Sequence, residues 1–243
     1  MNSPEGPMIR LSIIVPAYNE EARIRPTLEE YATYFTRIYG DDYEIIVVMN
    51  GCTDDTRGVV ESVQAHVPQL RLLEFPQPTG KGGAIMEGFA AAKGELFAFV
   101  DADNMVRAPQ TERLVGALDD SDIVIGDRFG GRDLGAGGQP LYRQLIGKAL
   151  RAWVRAFLRL PYSDTQCGAK AFRADGWRSI APQVRERGWA FDLDVLVNAR
   201  RRGLSVAEVP VEWKHVAEGS KVRAAQAGPE FLLATFRIRL RRR

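Results

Sequence analysis

Two carboxylates, Asp101 and Asp103, directly follow an apolar run at residues 96–100, with only Ala102 between them. Aspartate is a poor strand residue, and two like charges so close together repel each other, so we expect a nearby cation to offset the cost. Carboxylate oxygens are hard ligands, and Mg²⁺ or Mn²⁺ is usually held by one or two of them together with substrate phosphates. The pattern predicts a divalent-cation site at a strand end. The alternative is that the pair only caps a helix or a turn.

A glycine-rich segment, Thr-Gly-Lys-Gly-Gly at residues 79–83, carries the next candidate, Lys81. It is not a P-loop, because Phe75 stands where the first glycine belongs and Gly82 stands where Ser or Thr must follow the lysine. A G-x-G-x-x-G turn after the first strand is also missing. Lys81 is therefore either a contact for a nucleotide phosphate outside these two motifs or an exposed loop lysine.

Alternating strands and helices must position these residues. Apolar, β-branched runs predict strands, and apolar residues at spacings of three and four predict the helices between them. Such an order indicates an α/β fold with a doubly wound, mostly parallel sheet, whose ligands bind at the carboxyl ends of the strands. The polar segments 17–20, 50–54 and 101–103 are expected to converge there, and Thr53 is a candidate helix cap. The predicted strands cover residues 9–16, 43–49, 70–75, 95–100 and 122–126.

The second half follows a different pattern. It has a glycine-rich loop at 130–138, an amphipathic helix at 141–160, a strand at 204–213 and a last helix opening near Pro229. Without an internal repeat or a linker, we expect one domain in two lobes. The predicted parts are a first lobe at 9–126, a second lobe at 127–225 and a basic amphipathic helix at 226–243.

Composition excludes several classes of protein. The formal net charge of the 243 residues is +2, so the chain as a whole is no binder of nucleic acid. Two distant cysteines and two histidines indicate neither a zinc ribbon, nor a disulfide scaffold, nor a histidine-rich metal site. The N-terminus has no apolar signal core, and no apolar run reaches the roughly 18–20 residues that span a bilayer. We expect a soluble or peripheral protein of a reducing cytoplasm.

The helix at 141–160 has an apolar face and a basic stripe. Two interpretations remain open: the helix lies on an anionic membrane surface, or its apolar face packs on the core while the basic side is solvated. The C-terminal segment 231–240 has the same character. The basic stripe consists of Lys148, Arg151, Arg155 and Arg159, and the apolar face of Leu145, Ile146, Ala149, Leu150, Trp153, Phe157 and Leu158.

Taken in order, these motifs resemble the family 2 glycosyltransferases with the GT-A fold. The resemblance rests on Ile-Val-Pro-Ala-Tyr-Asn-Glu at 14–20, Gly-Cys-Thr-Asp at 51–54, Gly-Lys-Gly at 80–82 and Asp-Ala-Asp at 101–103. Later segments are similar to polyprenyl-phosphate glycosyltransferases, including dolichyl-phosphate glucose and mannose synthases. These segments are Ile-Gly-Asp-Arg-Phe at 125–129, Asp-Thr-Gln-Cys-Gly-Ala-Lys at 164–170, Phe-Asp-Leu-Asp at 191–194 and Glu-Gly-Ser-Lys at 218–221.

The resemblance implies that 9–126 is a nucleotide-sugar-binding lobe and 127–225 an acceptor-binding lobe, and it implies roles for individual residues in binding the donor. Asp101 and Asp103 would hold Mg²⁺ or Mn²⁺ on the diphosphate of a nucleotide-sugar, with Ala102 between them. Asn50 falls where an aspartate usually meets the base, and Met105 falls where lipid-phosphate enzymes often have glutamine. The residues expected to grip the nucleoside are Pro16, Ala17, Tyr18 and Glu20.

Transfer to a lipid phosphate also needs cations, because two anions must be brought together. Arg128, Arg143, Lys148 and Lys221 are the candidates, although Lys148 stands where the family pattern has arginine and lacks its bidentate geometry. Such an acceptor oxygen is already ionised, so no strong base is needed. Asp192 and Asp194 are candidates for orienting the sugar or acceptor, or are favourable acidic residues at a helix N-terminus.

The sequence therefore predicts an inverting enzyme that moves a hexose from a nucleotide-diphosphate sugar to a polyprenyl phosphate, with UDP-glucose favoured over GDP-mannose. One alternative keeps the fold but uses a soluble hydroxyl acceptor, with Asp194 as base. A second alternative is a nucleotide-sugar-binding protein without catalysis. A nucleotidyltransferase is disfavoured, because it would carry a glycine-rich phosphate loop after the first strand.

Overall fold

The computed structural model describes residues 9–130, 141–212 and 224–241. Its first part alternates regularly: β1 (Leu11–Ala17), α1 (Ile24–Tyr39), β2 (Tyr43–Asn50), α2 (Thr56–Gln64), β3 (Leu70–Phe75), α3 (Lys81–Ala91), β4 (Leu96–Val100), α4 (Ala108–Gly116) and β5 (Ile123–Asp127). The rest comprises α5 (Leu141–Leu158), β6 (Ala169–Arg173), α6 (Ala174–Ile180), α7 (Phe191–Arg202), β7 (Val206–Pro210) and α8 (Ala224–Leu240). Short 3₁₀ turns lie at Ala117–Asp119 and Ala181–Gln183.

One seven-stranded sheet unites the two predicted lobes. Its strand order is β3-β2-β1-β4-β6-β5-β7, and every pairing is parallel except those of β6 with β4 and with β5. This confirms the α/β class and the mostly parallel sheet. The sheet continues across the boundary predicted at residue 126, so the chain forms a single domain, and the lobe boundaries stay predictions.

Apolar layers cover both faces of the sheet, as a buried parallel sheet requires. On one face, α1, α2 and α4 pack over side chains such as Ile13, Val15 and Ile45. On the other face, α3, α6 and α7 pack over Ile14, Phe97 and Phe99. The central strands β1, β2 and β4 are covered on both faces and therefore consist mostly of buried apolar residues.

Helix α5 packs against α8 through aromatic side chains. The rings of Trp153 and Phe157 stack 4.6 Å apart, and the Phe236 ring lies 4.8 Å from Phe157. Val154 and Leu158 are buried beneath them. Ala149, which we placed on the apolar face, is exposed, and the side chains of Leu145 and Ile146 lie outside the described residues. Apart from Ala149, the described part of this face is at least partly buried, and Trp153 and Phe157 pack against α8 as the core-packing interpretation expects.

No helix among the described residues is long and apolar enough to cross a membrane.

Candidate active site

The loops after β1 and β2 are tied together at the carboxyl edge of the sheet. Asn19, which has a φ of 55°, accepts a hydrogen bond from the Thr53 amide at 2.7 Å. The Glu20 amide donates to the Thr56 hydroxyl, also at 2.7 Å. Pro16, Ala17, Tyr18 and Glu20 therefore stand on a fixed turn, and the Tyr18 ring is 47% exposed beside it. The cap of α2 is Asp55 rather than Thr53, because the Thr53 amide and hydroxyl bind Asn19.

Asn50 contacts the neighbouring loop. Its side-chain oxygen accepts from the Thr79 amide at 2.5 Å and from the Thr79 hydroxyl at 3.0 Å. Cys52 lies close by, with its sulfur 3.4 Å from both the Asn19 nitrogen and the Ala17 oxygen. Asn50 thus connects the end of β2 to the segment that carries Lys81, and its contact with a base stays a prediction.

The Asp101-Ala102-Asp103 segment is anchored through its backbone. The Asp101 amide donates to the Gly168 carbonyl at 3.0 Å, and the Thr27 hydroxyl donates to the Ala102 carbonyl at 2.9 Å. Both carboxylates are partly exposed. Burial, together with the neighbouring charge of Asp101, raises the pKa of Asp103 above its usual value, although the Met105 amide acts in the opposite direction. A cation at this point would relieve the repulsion between the two carboxylates.

Lys81 places an ammonium group beside the carboxylate pair, and the predicted divalent cation stays a prediction. Lys81 is the first residue of α3, and its Nζ lies 2.5 Å from Asp101 Oδ1. Burial disfavours its charged form, but the carboxylates of Asp101, Asp192 and Asp103 outweigh this effect and hold the pKa of Lys81 above its usual value. The interpretation as an exposed loop lysine is therefore wrong.

Trp189 is a candidate that sequence reasoning missed. Its indole is 47% exposed and lies 5.7 Å from Lys81 Nζ. The Gly83 amide donates to the Arg187 carbonyl at 2.8 Å, and a Cβ at Gly80 or Gly82 would collide with this same turn. The glycines of the 79–83 segment thus allow the turn at 187–191 to approach the site. A tryptophan two residues before Phe-Asp-Leu-Asp was the signal available in the sequence.

Arg128 is engaged with a partner that the sequence analysis did not assign. Its guanidinium holds Asp164 through two hydrogen bonds, of 2.6 and 2.9 Å. Burial opposes both charges, but this pairing raises the pKa of Arg128 and lowers that of Asp164. Arg128 lies at the end of β5, and Asp101 contributes to its raised pKa. The sheet therefore presents Arg128 on the same side as the carboxylate pair.

Asp194 lies in a buried network on α7. Its Oδ2 accepts from the amides of Arg185 and Glu186 and pairs with Arg241 of α8 at 2.7 Å. Its Oδ1 accepts from Asn198 at 3.0 Å. The carboxylate is fully buried. The structure thus gives Asp194 a set of structural partners, and its predicted role in catalysis stays a prediction.

Two of the remaining predicted acceptor residues, Arg143 and Lys148, belong to α5. Lys148 lies at one end of a groove of about 650 Å³, and Lys221 lies outside the described residues, as does the side chain of Arg143. Small and apolar residues, with Ser163, complete the groove, and among the described residues no acidic side chain lines it. The groove's cations are those of the predicted basic stripe, Lys148, Arg151, Arg155 and Arg159.

The carboxylate pair fits a cation that shares its ligands with a substrate. Within the described ranges, no cluster of three or more His, Cys, Asp or Glu side chains forms a complete protein cage. Two partly exposed carboxylates suit Mg²⁺ or Mn²⁺, which commonly takes its other ligands from phosphates and water.

Two solved structures share this fold. Glucosyl-3-phosphoglycerate synthase from Mycobacterium tuberculosis, in complex with UDP, superposes with a TM-score of 0.71 at 21% identity, covering 94% of this chain and 79% of that one. Staphylococcus aureus TarS gives a TM-score of 0.57 at 19% identity, covering 82% of this chain and 58% of that one. The fold, with its carboxylate pair at the sheet edge, is that of the GT-A glycosyltransferases.

The family follows from the sequence comparisons. Residues 12–184 match the family model described as Glycosyl transferase family 2, and the chain belongs to this family. It is 33% identical to dolichyl-phosphate beta-glucosyltransferase ALG5C of Trichomonas vaginalis, over 85% of this chain and 64% of that protein. It is 30% identical to dolichyl-phosphate beta-glucosyltransferase of Saccharomyces cerevisiae, over 89% of this chain and 70% of that protein. The chain spans about two thirds of the length of these relatives.

Proposed function

We propose that the protein is an inverting glucosyltransferase that moves glucose from UDP-glucose to a polyprenyl phosphate of the dolichyl type. The observation that carries the proposal is the similarity to dolichyl-phosphate beta-glucosyltransferases over 85–90% of the chain. The glucosyl name of these relatives favours UDP-glucose over the GDP-mannose alternative.

The donor lies along the carboxyl edge of β1, β2 and β4. Pro16, Ala17, Tyr18, Glu20 and Asn50 contact the nucleoside, with the exposed Tyr18 ring available for stacking on the base. The diphosphate lies near Ala102 and Lys81. Glucosyl-3-phosphoglycerate synthase from Mycobacterium tuberculosis, which shares this fold, has been solved in complex with Mn²⁺ and UDP-glucose, and this supports such a donor here.

Asp101 and Asp103 would hold the Mg²⁺ or Mn²⁺. When bound, the cation would neutralise the charge that develops on the departing diphosphate. Lys81 acts beside it. Its ammonium lies 2.5 Å from Asp101, so it is already at the place where the phosphates arrive. The Lys81 ammonium would then interact with both Asp101 and a donor phosphate. It would orient that phosphate without giving up a proton.

The acceptor phosphate is bound from the β5 side. Arg128, fixed by Asp164, supplies a charged group of defined direction, and Lys148, Arg143 and Lys221 complete the set of cations. The phosphate oxygen is ionised near neutral pH, so transfer needs positioning more than a base. The buried, fully engaged Asp194 favours this acceptor over the soluble hydroxyl alternative, which would need Asp194 free as a base.

A lipid acceptor also requires contact with a membrane, and we propose peripheral attachment at an anionic cytoplasmic surface. The groove along α5 offers four cations, and α8 exposes Leu233 and Leu240. Basic residues attract anionic lipids, and exposed leucines add apolar contact. The apolar contribution therefore comes from α8 rather than from Trp153 and Phe157 of α5, which pack against α8.

Substrate panels test the proposed reaction. Purified protein with Mn²⁺ receives labelled UDP-glucose or GDP-mannose, each with dolichyl phosphate or with 3-phosphoglycerate. We expect labelled lipid from UDP-glucose and dolichyl phosphate, and at least tenfold less product from the other combinations. Efficient labelling of 3-phosphoglycerate without lipid product would replace the lipid acceptor by the soluble one. A mannosyl lipid as the main product would refute the donor assignment alone.

A further inference from the structure

Lys170 on β6 is a buried lysine that the proposed reaction does not use. It is 1% exposed, its strand neighbours are Phe99 and Ile125, and its Nζ lies 5.4 Å from the Phe99 ring centre. An ammonium group among apolar side chains is costly unless its partners compensate for the lost water. Its partners therefore indicate what this lysine does.

Two partners hold Lys170. Its Nζ lies 2.6 Å from Asp192 Oδ1, in the first turn of α7, and it donates to the Cys167 carbonyl at 2.8 Å. Buried ion pairs of this kind seldom stabilise a fold more than apolar residues of the same size would. The pair is therefore better explained by what it positions than by stability.

The Cys167 carbonyl is adjacent in the chain to the group that contacts Asp101, the predicted metal ligand. The next carbonyl along the chain, that of Gly168, accepts the hydrogen bond of the Asp101 amide. Gly168 also lies so close to the Asp101 carboxylate that a Cβ there would overlap it. The Asp101 carboxylate thus rests on the Cys167-Gly168 backbone, whose other side is held by Lys170.

We propose that Lys170 is a positioning residue that holds the Cys167-Gly168 backbone against Asp101 and so fixes the direction of the Asp101 carboxylate. Lys81 and Lys170 lie 5.9 and 5.4 Å from the same Phe99 ring. Lys81 forms an ion pair with Asp101. Lys170 instead holds the Cys167 carbonyl, and so affects Asp101 only through the Cys167-Gly168 backbone. This inference rests on the proposed function in so far as Asp101 serves as the cation ligand.

The test separates positioning from stability. The single variant K170M would leave the Asp192 carboxylate buried without its cation, so the informative variant is K170M/D192N. D192N alone keeps an oxygen for Lys170 and serves as the matched control for the loss of Asp192. K93M controls for a lysine-to-methionine change at an exposed position. Thermal melting identifies a temperature at which all four proteins are folded.

Two measurements are made at that temperature. The first is the rate at which iodoacetamide labels Cys167, followed by peptide mass spectrometry, because this buried thiol becomes accessible only when its backbone loosens. The second is the affinity for UDP with and without Mn²⁺. In K170M/D192N we expect labelling of Cys167 at least tenfold faster than in the wild type, and at least a tenfold loss of the gain in UDP affinity that Mn²⁺ gives.

D192N is expected to stay within threefold of the wild type in the labelling of Cys167, and K93M in both measurements. Unchanged Cys167 labelling in K170M/D192N overturns the inference, and so does a D192N variant whose Cys167 is labelled as fast as in the double variant. If Mn²⁺ does not change the affinity of the wild type for UDP, the proposed metal site fails. The labelling rates still decide the role of Lys170 in that case.

Discussion

The Asp101 carboxylate lies between the Lys81 ammonium and the backbone of Gly168. The Lys81 ammonium approaches it from α3, and Gly168 leaves no space on the side of β6. Asp103, two residues on, is bonded to the Met105 amide at 3.2 Å and is partly exposed. Neither carboxylate holds the core together, so removing their charge should affect ligand binding much more than folding.

We predict that D103N lowers turnover at least 100-fold and weakens the response to Mn²⁺, because a neutral amide is a poor ligand for a hard cation. The melting temperature should change by less than about 3 °C, since a surface substitution is usually worth under ~0.5 kcal/mol. D175N, at a carboxylate that is 82% exposed, is the matched control. Wild-type turnover in D103N would sink the assignment of Asp103.

Arg128 and Asp164 should behave as a buried pair. We predict that R128M loses about 3 kcal/mol of unfolding free energy at pH 7, because removing one partner of a buried pair typically costs ~3–5 kcal/mol. The pKa of Asp164 is lowered in the folded protein, so its contribution is present above the ordinary carboxyl value of about 3.9. It is lost as the pH falls through the lower folded value.

Urea unfolding of the wild type and R128M between pH 3 and pH 8 measures how the contribution of this pair to stability changes with pH. The difference in stability between the two proteins should be constant at neutral pH and should shrink below about pH 4. R113M, on an exposed position of α4, is the control. A difference that grows in acid would contradict the assigned pair.

At the scale of elements, the edge between β4 and β6 forms the floor of the carboxylate site. Strand β6 runs antiparallel to β4, so Gly168, which precedes β6, lies beside Asp101, which follows β4. Parallel strands could not bring these two loop residues together in this way. The antiparallel direction of β6 is therefore what places Gly168 against the carboxylate site.

We predict that G168A lowers turnover at least 100-fold, because its added Cβ would displace the Asp101 carboxylate. Gly116, in α4, is the matched control, since a Cβ there meets nothing within 4 Å. G116A should be neutral in turnover and stabilising by up to about 1 kcal/mol, as alanine is the better helix former. Equal turnover in the two variants would exclude the close contact at Gly168.

Asp194 has two candidate roles, as a link between helices α7 and α8 and as a catalytic base, and two variants distinguish them. If Asp194 links the helices, D194N and R241M should lower the melting temperature by similar amounts and should keep similar turnover well below it. A base for a hydroxyl acceptor would behave differently, because D194N alone would abolish turnover. The two variants assayed side by side distinguish the lipid phosphate acceptor from the soluble alternative.

Local patterns predicted most elements, and the differences have physical causes. The strand at 70–75 was predicted with its observed bounds, since apolar residues and flanking turns define it. The direction of β6 was not predictable, because it depends on which neighbours a strand of five residues joins. The helix expected near Pro229 begins at Ala224, and the cap of α2 is Asp55, because a tertiary contact occupies Thr53.

The site was predictable only where a residue type stands out in its local context. Paired aspartates after an apolar strand indicated the cation site, and the elements then converged as expected. The partners of Arg128 and Lys170 were not predictable, since Asp164 and Asp192 reach them across the fold. The metal, the base contacts and the acceptor residues stay predictions.

For the whole molecule, charge and apolar exposure lie on the outer helices. The four cations of the α5 groove and the exposed leucines of α8 form the surface that we expect to meet a membrane. We predict that R155Q/R159Q binds vesicles containing phosphatidylserine at least fivefold more weakly than the wild type in 0.1 M salt, since each basic residue near such a surface contributes about 1 kcal/mol. R37Q/R113Q, at exposed positions elsewhere, should bind normally.

Vesicle sedimentation over a range of salt concentrations measures this effect. Binding of the wild type should weaken as salt rises, because ions screen exposed charges. Equal binding of both double variants would rule out the α5 groove as the attachment surface.

The most direct measurement of the central claim compares one lipid with and without its phosphate. Purified protein, labelled UDP-glucose and Mn²⁺ are incubated with dolichyl phosphate or with dolichol, and the labelled lipid is extracted and counted. The cations at Arg128 and on α5 and the absence of a free base at Asp194 in the described structure predict product from dolichyl phosphate alone. Glucosylation of dolichol at a comparable rate would contradict the account, because it would require a general base that the proposed site does not use.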